Sequence, residues 1–247
     1  MKKINKILII IQRANGDVLL SHSLITSLFK NFNQPQIDLL VNDDTIAIAK
    51  LLPNINFIHT FSYKDKREKH WRQEKKIIQK IFRQYDLSIN LTASDRSVIY
   101  SILASKKSIS AIEKKPRKSW WKKIFLTYFY YFDTDKHILL NNIEPLSLLN
   151  INQELNNNFP EVSEHAINKV KRLLEIKKIN KFIIFHPSAQ YDFKIYPKHL
   201  RDKLLIELNT LDIPIVITGS KNKLDLEIKK ELPRLSKSKT ARYNIFS

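Results

Sequence analysis

A turn near the amino terminus places a carboxylate where it can take a proton. Residues 13–17 read Arg-Ala-Asn-Gly-Asp and join the apolar stretch 6–11 to a segment with helical spacing, 18–32. Ligands of open α/β sheets bind beyond the carboxyl ends of strands, and Gly16 permits a tight turn or a close approach of the backbone. Asp17 is therefore a candidate general base for a hydroxyl group. The alternative is that Asp17 caps the helix, because aspartate is a favoured N-cap residue.

A second strand–loop–helix segment, in the last third of the chain, carries groups suited to phosphate. The apolar residues 182–185 are followed by Ser188, and Lys194 precedes a helix predicted from about residue 197. A lysine in this position can pair with a diphosphate, and the serine hydroxyl can donate to a phosphate oxygen. The alternative is a solvated lysine in a lysine-rich chain. His186 is interpreted as a packing residue at the end of the strand.

These turns need a scaffold of alternating strands and helices. Strands are predicted at 6–11, 36–41, 57–61, 87–91, 182–185 and 213–218, and helices at 18–32, 46–51, 66–85, 161–176, 199–208 and 225–232. The alternation predicts βαβ units and mostly parallel sheets, and hence an α/β fold. Heptad spacing assigns Trp71, Ile78 and Tyr85 to one helix face. The predicted domains are 1–150 and 181–247, joined by a linker and a connecting helix at 151–180, and the Asn- and Leu-rich stretch 141–160 is interpreted as linker.

Composition limits the chemistry further. Lysine and arginine number 43 against 24 acidic residues, which gives a formal charge of +19 and favours an anionic partner. The chain has no cysteine, which excludes disulfides, thiolate zinc sites and cysteine nucleophiles. It has 2 glycines, too few for a glycine-rich phosphate loop. The apolar run at the amino terminus is too short for a signal peptide, so a cytoplasmic location is expected.

The segment 106–132 concentrates lysine and aromatic residues. Trp120 and Trp121 lie among the lysines, and an aromatic run follows at 124–132. Three interpretations remain open: contact with an anionic membrane surface, binding of single-stranded nucleic acid, and a solvated loop followed by a core helix at 125–132. No helix-turn-helix or RNA-binding aromatic signature supports the second, so no nucleic-acid partner is expected.

Several motifs taken together resemble glycosyltransferase family 9, the ADP-heptose:lipopolysaccharide heptosyltransferases. They are R-A-N-G-D-V-L-L at 13–20, Q-I-D-L-L-V-N-D-D-T at 36–45, L-L-P-N-I-N-F-I at 51–58, F-I-I-F-H-P-S-A at 182–189, K-I-Y-P-K-H-L at 194–200 and I-P-I-V-I-T-G-S at 213–220. The resemblance implies a GT-B fold, with two Rossmann-like domains facing each other across a cleft. It also implies an inverting transfer of heptose from ADP-heptose to the lipopolysaccharide inner core, without metal or cofactor.

The resemblance assigns roles to particular residues. Asp17 would be the general base, and Lys194 and Ser188 would contact the donor diphosphate. Arg13, Asn15 and Gly16 would shape the acceptor side. An enzyme of this kind would be cytoplasmic, with peripheral contact at the inner membrane as an open alternative.

The sequence departs from the family pattern near its end. The family's later nucleotide-site block, D-S/T-G-x-x-H, is absent. It requires a glycine, and the 2 glycines of the chain, at 16 and 219, belong to other motifs. The second domain is therefore expected to be incomplete, and the unpatterned end at 237–247 suggests truncation. The alternatives to an active transferase are a non-catalytic remnant that binds acceptor or membrane and, from charge alone, a basic nucleic-acid-binding protein.

Overall fold

A computed structural model describes residues 4–69, 71–114, 116–153, 162–189, 192–219, 223–231 and 243–246. The chain divides into two compact units, Met1–Val162 and Ser163–Ser247. The connecting segment predicted at 151–180 spans this boundary and stays a prediction. None of the helices in the described ranges is long and apolar enough to cross a membrane.

The first unit is built on a six-stranded parallel sheet. Its strands are β1 (Lys6–Ile11), β2 (Gln36–Asn42), β3 (Ile55–Phe61), β4 (Leu87–Asn90), β5 (Ser108–Ile112) and β6 (Tyr128–Tyr131). Their order across the sheet is β3-β2-β1-β4-β5-β6, and every neighbouring pair is parallel. The chain order reverses between β1 and β4, and such a switch point is where open α/β sheets bind ligands.

Helices cover both faces of this sheet. They are α1 (Asn15–Leu19), α2 (His22–Asn31), α3 (Ile46–Ala49), α4 (Tyr63–Lys69), α5 (Trp71–Ile81), α6 (Asp95–Ala104), α7 (Pro116–Phe125) and α8 (Ile138–Leu148). The odd-numbered side chains of β1 lie in one core with Leu24 of α2 and Ile143 of α8. Leu8 and Ile10 lie in a second core with Ile77 of α5 and Tyr100 of α6. From residue 7 to residue 11, β1 is therefore apolar because both of its faces are buried.

Three helix predictions in this unit are corrected. The segment predicted as one helix at 18–32 is two helices, α1 and α2, separated by Leu20 and Ser21. The basic helix predicted at 66–85 corresponds to α4 and α5, with residue 70 outside the described residues, and α5 ends at Ile81, before Tyr85. The predicted heptad face holds in part: Ile78 packs against the core and Tyr85, beyond the end of α5, is buried, but Trp71 is 80% exposed. The buried residues of α5 itself are Ile77 and Ile81.

Two further corrections concern the end of this unit. One of the three interpretations of 106–132 placed a core helix at 125–132, but Tyr128–Tyr131 form β6 instead, an extended strand paired with β5. The stretch 141–160, predicted as linker, begins inside α8, whose Ile143 and Leu146 are buried in the sheet's core. Residues 154–161 lie outside the described residues. Three of the residues that suggested a linker, Asn141, Asn142 and Pro145, thus lie in a helix.

The second unit has a three-stranded parallel sheet in its described residues. Its strands are β7 (Ile183–Phe185), β8 (Ile215–Gly219) and β9 (Tyr243–Phe246), in the order β7-β8-β9. Its helices are α9 (Glu164–Ile176), α10 (Lys198–Asn209) and α11 (Lys223–Glu231). A small core joins Leu205, Ile217 and Ile228. The chain end, predicted to be unpatterned, contains β9, which pairs with β8 in parallel.

Candidate functional site

The turn after β1 holds Asp17 inside a helix rather than at its cap. Ala14 occupies the N-cap position of α1 in an extended conformation, and no side chain caps the helix. Asp17 lies in the first turn, where its Oδ2 accepts a hydrogen bond of 2.7 Å from Nε of Arg13. The capping alternative is therefore wrong, and the carboxylate is paired with a guanidinium at the carboxyl end of β1. About a quarter of each side chain is exposed, so the pair is open to a ligand.

Three residues outside the turn hold it in place. The side-chain amide of Asn142, which is buried in α8, donates to the backbone carbonyl of Asp17 over 3.1 Å. The amide of Asn42, at the end of β2, donates to the carbonyl of Arg13 over 3.5 Å. The guanidinium of Arg13 also lies 4.5 Å from the centroid of the Phe132 ring. Sequence reasoning missed all three, because none of them is local to the turn.

The other predicted residues of the turn, Asn15 and Gly16, are exposed at the start of α1. Gly16 does not have a positive φ, and a Cβ added there would meet no heavy atom within 4 Å. The fold itself therefore does not require glycine at this position. The assignment of both residues to an acceptor side stays a prediction.

The switch point itself is held together by Gln12, the residue that follows β1. Its backbone N–H donates to the hydroxyl of Thr92 over 2.9 Å, which joins the ends of β1 and β4. Its side-chain oxygen accepts from Nε of Arg96 over 3.3 Å. Arg96 in turn stacks on Phe61, with 3.8 Å between its guanidinium carbon and the ring centroid. The ends of β1, β3 and β4 thus form one connected network beside the Arg13–Asp17 pair.

Lys122 of α7 supports the loop that carries Thr92 and the start of α6, where Arg96 lies. Its side chain is fully buried, although lysine rarely is. Its ammonium group contacts Asp95 at 2.7 Å, Glu113 at 2.6 Å and the carbonyl of Ala93 at 3.0 Å. One cation therefore ties the loop after β4 to the end of β5.

Replacing Lys122 by methionine is expected to lower the free energy of unfolding by about 2 kcal/mol. The change leaves two carboxylates facing each other without a cation and a carbonyl without its donor. The loss stays moderate because Asp95 and Glu113 are partly exposed and regain water. Urea denaturation measures it, with Lys106→Met, at an exposed lysine, as the matched control. Equal midpoints for the two variants would contradict the structural role of Lys122.

In the second unit, the loop after β7 carries the predicted phosphate-binding residues. The Ser188 hydroxyl is partly buried and lies 3.5 Å from Nε2 of His186. Nδ1 of His186 lies 2.9 Å from the Thr218 hydroxyl, so the histidine links the ends of β7 and β8. Lys194 ends a short 3-10 turn and is exposed. Its ammonium group is 5.8 Å from the ring centroid of Phe193.

The structure thus brings one pair of predicted site residues into contact, Arg13 and Asp17. Ser188 contacts His186, which was interpreted as a packing residue but is exposed. Within the described ranges, no three histidine, aspartate or glutamate side chains are grouped to hold a metal ion.

Comparison with known proteins gives one family match and two curated relatives. The model of glycosyltransferase family 9 (heptosyltransferase) matches residues 74–245. Lipopolysaccharide heptosyltransferase 3 of Escherichia coli K12 is 26% identical over 228 residues, which cover 90% of this chain and 65% of the relative. A second lipopolysaccharide heptosyltransferase 3 of Escherichia coli is 24% identical over 226 residues, which cover 89% of this chain and 65% of the relative. The chain therefore spans about 65% of the length of these curated relatives.

Solved structures match along nearly the whole chain. A family 9 glycosyltransferase from Veillonella parvula has a TM-score of 0.79 at 17% identity, covering 100% of this chain and 70% of its own. Escherichia coli heptosyltransferase WaaC with ADP has a TM-score of 0.71 at 14% identity, and the match covers 97% of this chain and 74% of WaaC. At these identities the likeness concerns the fold, and it confirms the predicted α/β architecture of GT-B type.

Proposed function

This chain belongs to glycosyltransferase family 9, and we propose that it transfers a heptose from ADP-heptose to the lipopolysaccharide inner core. The transfer inverts the anomeric carbon and needs no metal ion. The names of the similar proteins support the donor and acceptor, since they include lipopolysaccharide heptosyltransferase 3 and WaaC with ADP-2-deoxy-2-fluoro heptose. The observation that carries the proposal is the Arg13–Asp17 pair at the sheet's switch point.

Asp17 acts as the general base in this proposal. Arg13 binds Oδ2, and Oδ1 has no hydrogen-bond partner among the described residues. Oδ1 accepts the proton of an acceptor hydroxyl while that oxygen forms a bond to the anomeric carbon of the heptose. The bond between the anomeric carbon and the diphosphate oxygen breaks, and its electron pair leaves with ADP. Because Asn142 and Asn42 hold the turn, the carboxylate keeps its position during the transfer.

Lys194 and Ser188 bind the donor diphosphate in this proposal. The charge on the leaving ADP grows as the sugar–oxygen bond breaks, and a nearby ammonium group stabilises that charge. The Ser188 hydroxyl donates to a phosphate oxygen. His186 positions Ser188 through the contact between its Nε2 and the serine hydroxyl.

The function is tested by incubating the purified chain with ADP-heptose and heptose-deficient lipopolysaccharide. We expect ADP release and heptose incorporation in equal amounts. Calorimetric titration with ADP-heptose runs in parallel. If ADP-heptose bound in a saturable way but no heptose were incorporated, the chain would be a nucleotide-sugar-binding protein without transferase activity. A folded chain that neither binds nor transfers would remove the donor assignment as well.

We also propose that one edge of the first unit contacts an anionic membrane surface at the cytoplasmic side. This α7–β6 edge exposes Trp120, Ile124 and Phe125 by 62%, 66% and 63%, and Tyr128 and Tyr131 by 42% and 44%. The ammonium group of Lys123 lies over the Phe129 and Tyr131 rings of this edge, and Lys106, Lys107 and Lys114 are close to it in sequence. Tryptophan and tyrosine settle at membrane interfaces, and lysines attract anionic headgroups.

Trp120→Ala is expected to weaken binding to phosphatidylglycerol-containing vesicles about tenfold, because the indole is the largest exposed group at this edge. Vesicle sedimentation measures binding, and phosphatidylcholine vesicles should bind little. Trp71→Ala is the matched control, since that tryptophan is also exposed but lies on α5. Equal loss in both variants would contradict the edge assignment. Salt-sensitive binding of single-stranded DNA in the absence of vesicle binding would favour the nucleic-acid alternative.

A further inference from the structure

A cavity of about 380 Å³ lies between α5 and α6, on the sheet face opposite α2 and α8. It is lined by Lys66, Trp71, Glu74, Ile78, Arg96, Ile99 and Tyr100. Most of its surface is apolar, with a few polar groups, which is the usual composition of a small-molecule site. The mechanism above does not use it.

Two polar atoms of this cavity are buried without a partner. Oε2 of Glu74 and the hydroxyl of Tyr100 have no hydrogen bond, and Tyr100 is 1% exposed. Buried polar atoms in native proteins are nearly always hydrogen-bonded to protein, ligand or water, so both atoms are available to a molecule bound in the cavity. Burial raises the pKa of Tyr100, which therefore keeps its proton and can donate at neutral pH. The Glu74 oxygen needs a donor, and a hydroxylated ligand serves both atoms whereas an acyl chain serves neither.

Two cations face the same space. Arg96 is held in one orientation by Gln12, by the Tyr63 hydroxyl at 3.1 Å and by the Phe61 ring. Lys66 adds a second, exposed positive charge. A guanidinium fixed in this way is suited to a phosphate or carboxylate group. Trp71, 80% exposed at the cavity, offers a flat surface to the apolar face of a ring.

We propose that this cavity binds a sugar that carries a phosphate or a carboxylate group. The ring stacks on Trp71, its hydroxyls bond to Glu74 and Tyr100, and its anionic group pairs with Arg96 and Lys66. Arg96 also contacts Gln12, the neighbour of Arg13, so the cavity adjoins the turn that carries Asp17. Its use as an acceptor subsite rests on the proposed function. Its ability to bind an acidic sugar does not.

The test measures binding without any nucleotide sugar, so its result is independent of transfer. The chain has 3 tryptophans, and Trp120→Phe with Trp121→Phe leaves Trp71 as the reporter. We expect mannose 6-phosphate and galacturonate to quench the fluorescence of Trp71 in a saturable way. Mannose, which lacks the ionic contact, should bind about tenfold more weakly. The stronger of the two acidic probes identifies the preferred anion. Octyl phosphate or inorganic phosphate binding as tightly as the sugar acids would overturn the proposal.

Variants separate binding from folding. In calorimetric titrations of the full chain, Tyr100→Phe should weaken mannose 6-phosphate or galacturonate binding about fivefold to tenfold. Its melting temperature should stay the same or rise, because the variant removes a hydroxyl that is unpaired in the unliganded protein. Trp71→Ala should weaken binding at least as much, and Trp120→Ala, at an exposed tryptophan on another surface, should leave it unchanged. Full affinity in both Tyr100→Phe and Trp71→Ala would overturn the assignment.

Discussion

Replacing Asp17 by asparagine is expected to lower kcat by roughly 10²–10⁴-fold, the range that a positioned general base contributes. Asparagine keeps the size of the side chain but cannot accept the hydroxyl proton. The affinity for ADP-heptose should change by less than about threefold, because the base contacts the acceptor rather than the donor. Initial rates at saturating donor measure kcat, and calorimetry measures the dissociation constant.

The matched control is Asp44→Asn. Asp44 is an exposed carboxylate just after β2, in the same unit, and it contacts neither Arg13 nor the turn. We expect it to keep the full rate. If Asp17→Asn also kept a rate within about threefold of the unaltered chain, another group would have to take the proton. The Arg13–Asp17 pair would then be structural, and unfolding measurements on the same variant would show its contribution.

The positions of these groups could be predicted only where the signal is local. Asp17 follows an apolar strand and precedes a helix, so sequence alone places it at a strand's carboxyl end. Asn142 is 125 residues away, in a stretch whose asparagines and prolines suggested a linker. Its neighbour Asn141 has a similar function: it accepts from the N–H of Asp133 and donates to the carbonyl of the same residue. These side chains bind backbone groups outside their own helix, and composition cannot reveal which ones.

The order of strands and helices could be predicted from the sequence more fully than the buried faces of the helices. Short β-branched runs such as β1 are buried on both faces, so they are apolar whichever helices pack against them and can be recognised from the sequence alone. The buried face of α5 depends on where the sheet lies: Ile77 and Ile81, four residues apart, are buried, whereas Trp71, the first predicted heptad position, is exposed. The burial of Lys122 is even harder to predict from the sequence. Its burial depends on Asp95 and Glu113, which only the folded sheet brings to it.

Replacing Lys194 by alanine is expected to raise the dissociation constant for ADP-heptose about 10-fold to 100-fold, the effect of losing one charge-assisted hydrogen bond. Turnover should fall too, because the same charge stabilises the departing diphosphate more strongly than the bound one. Adenosine, which has no phosphate, should bind the variant and the unaltered chain equally. Calorimetric titrations with ADP-heptose, ADP and adenosine measure these differences.

Lys203→Ala is the matched control, since Lys203 is an exposed lysine in α10 of the same unit. In a chain with a formal charge of +19, a general loss of positive charge would weaken both variants alike and would disappear at high salt. A direct contact at Lys194 predicts a loss in one variant only, which persists when salt is added. If both variants bound ADP-heptose like the unaltered chain, Lys194 would be one of many solvated lysines. The donor phosphates would then depend on Ser188 and on the backbone of the loop after β7.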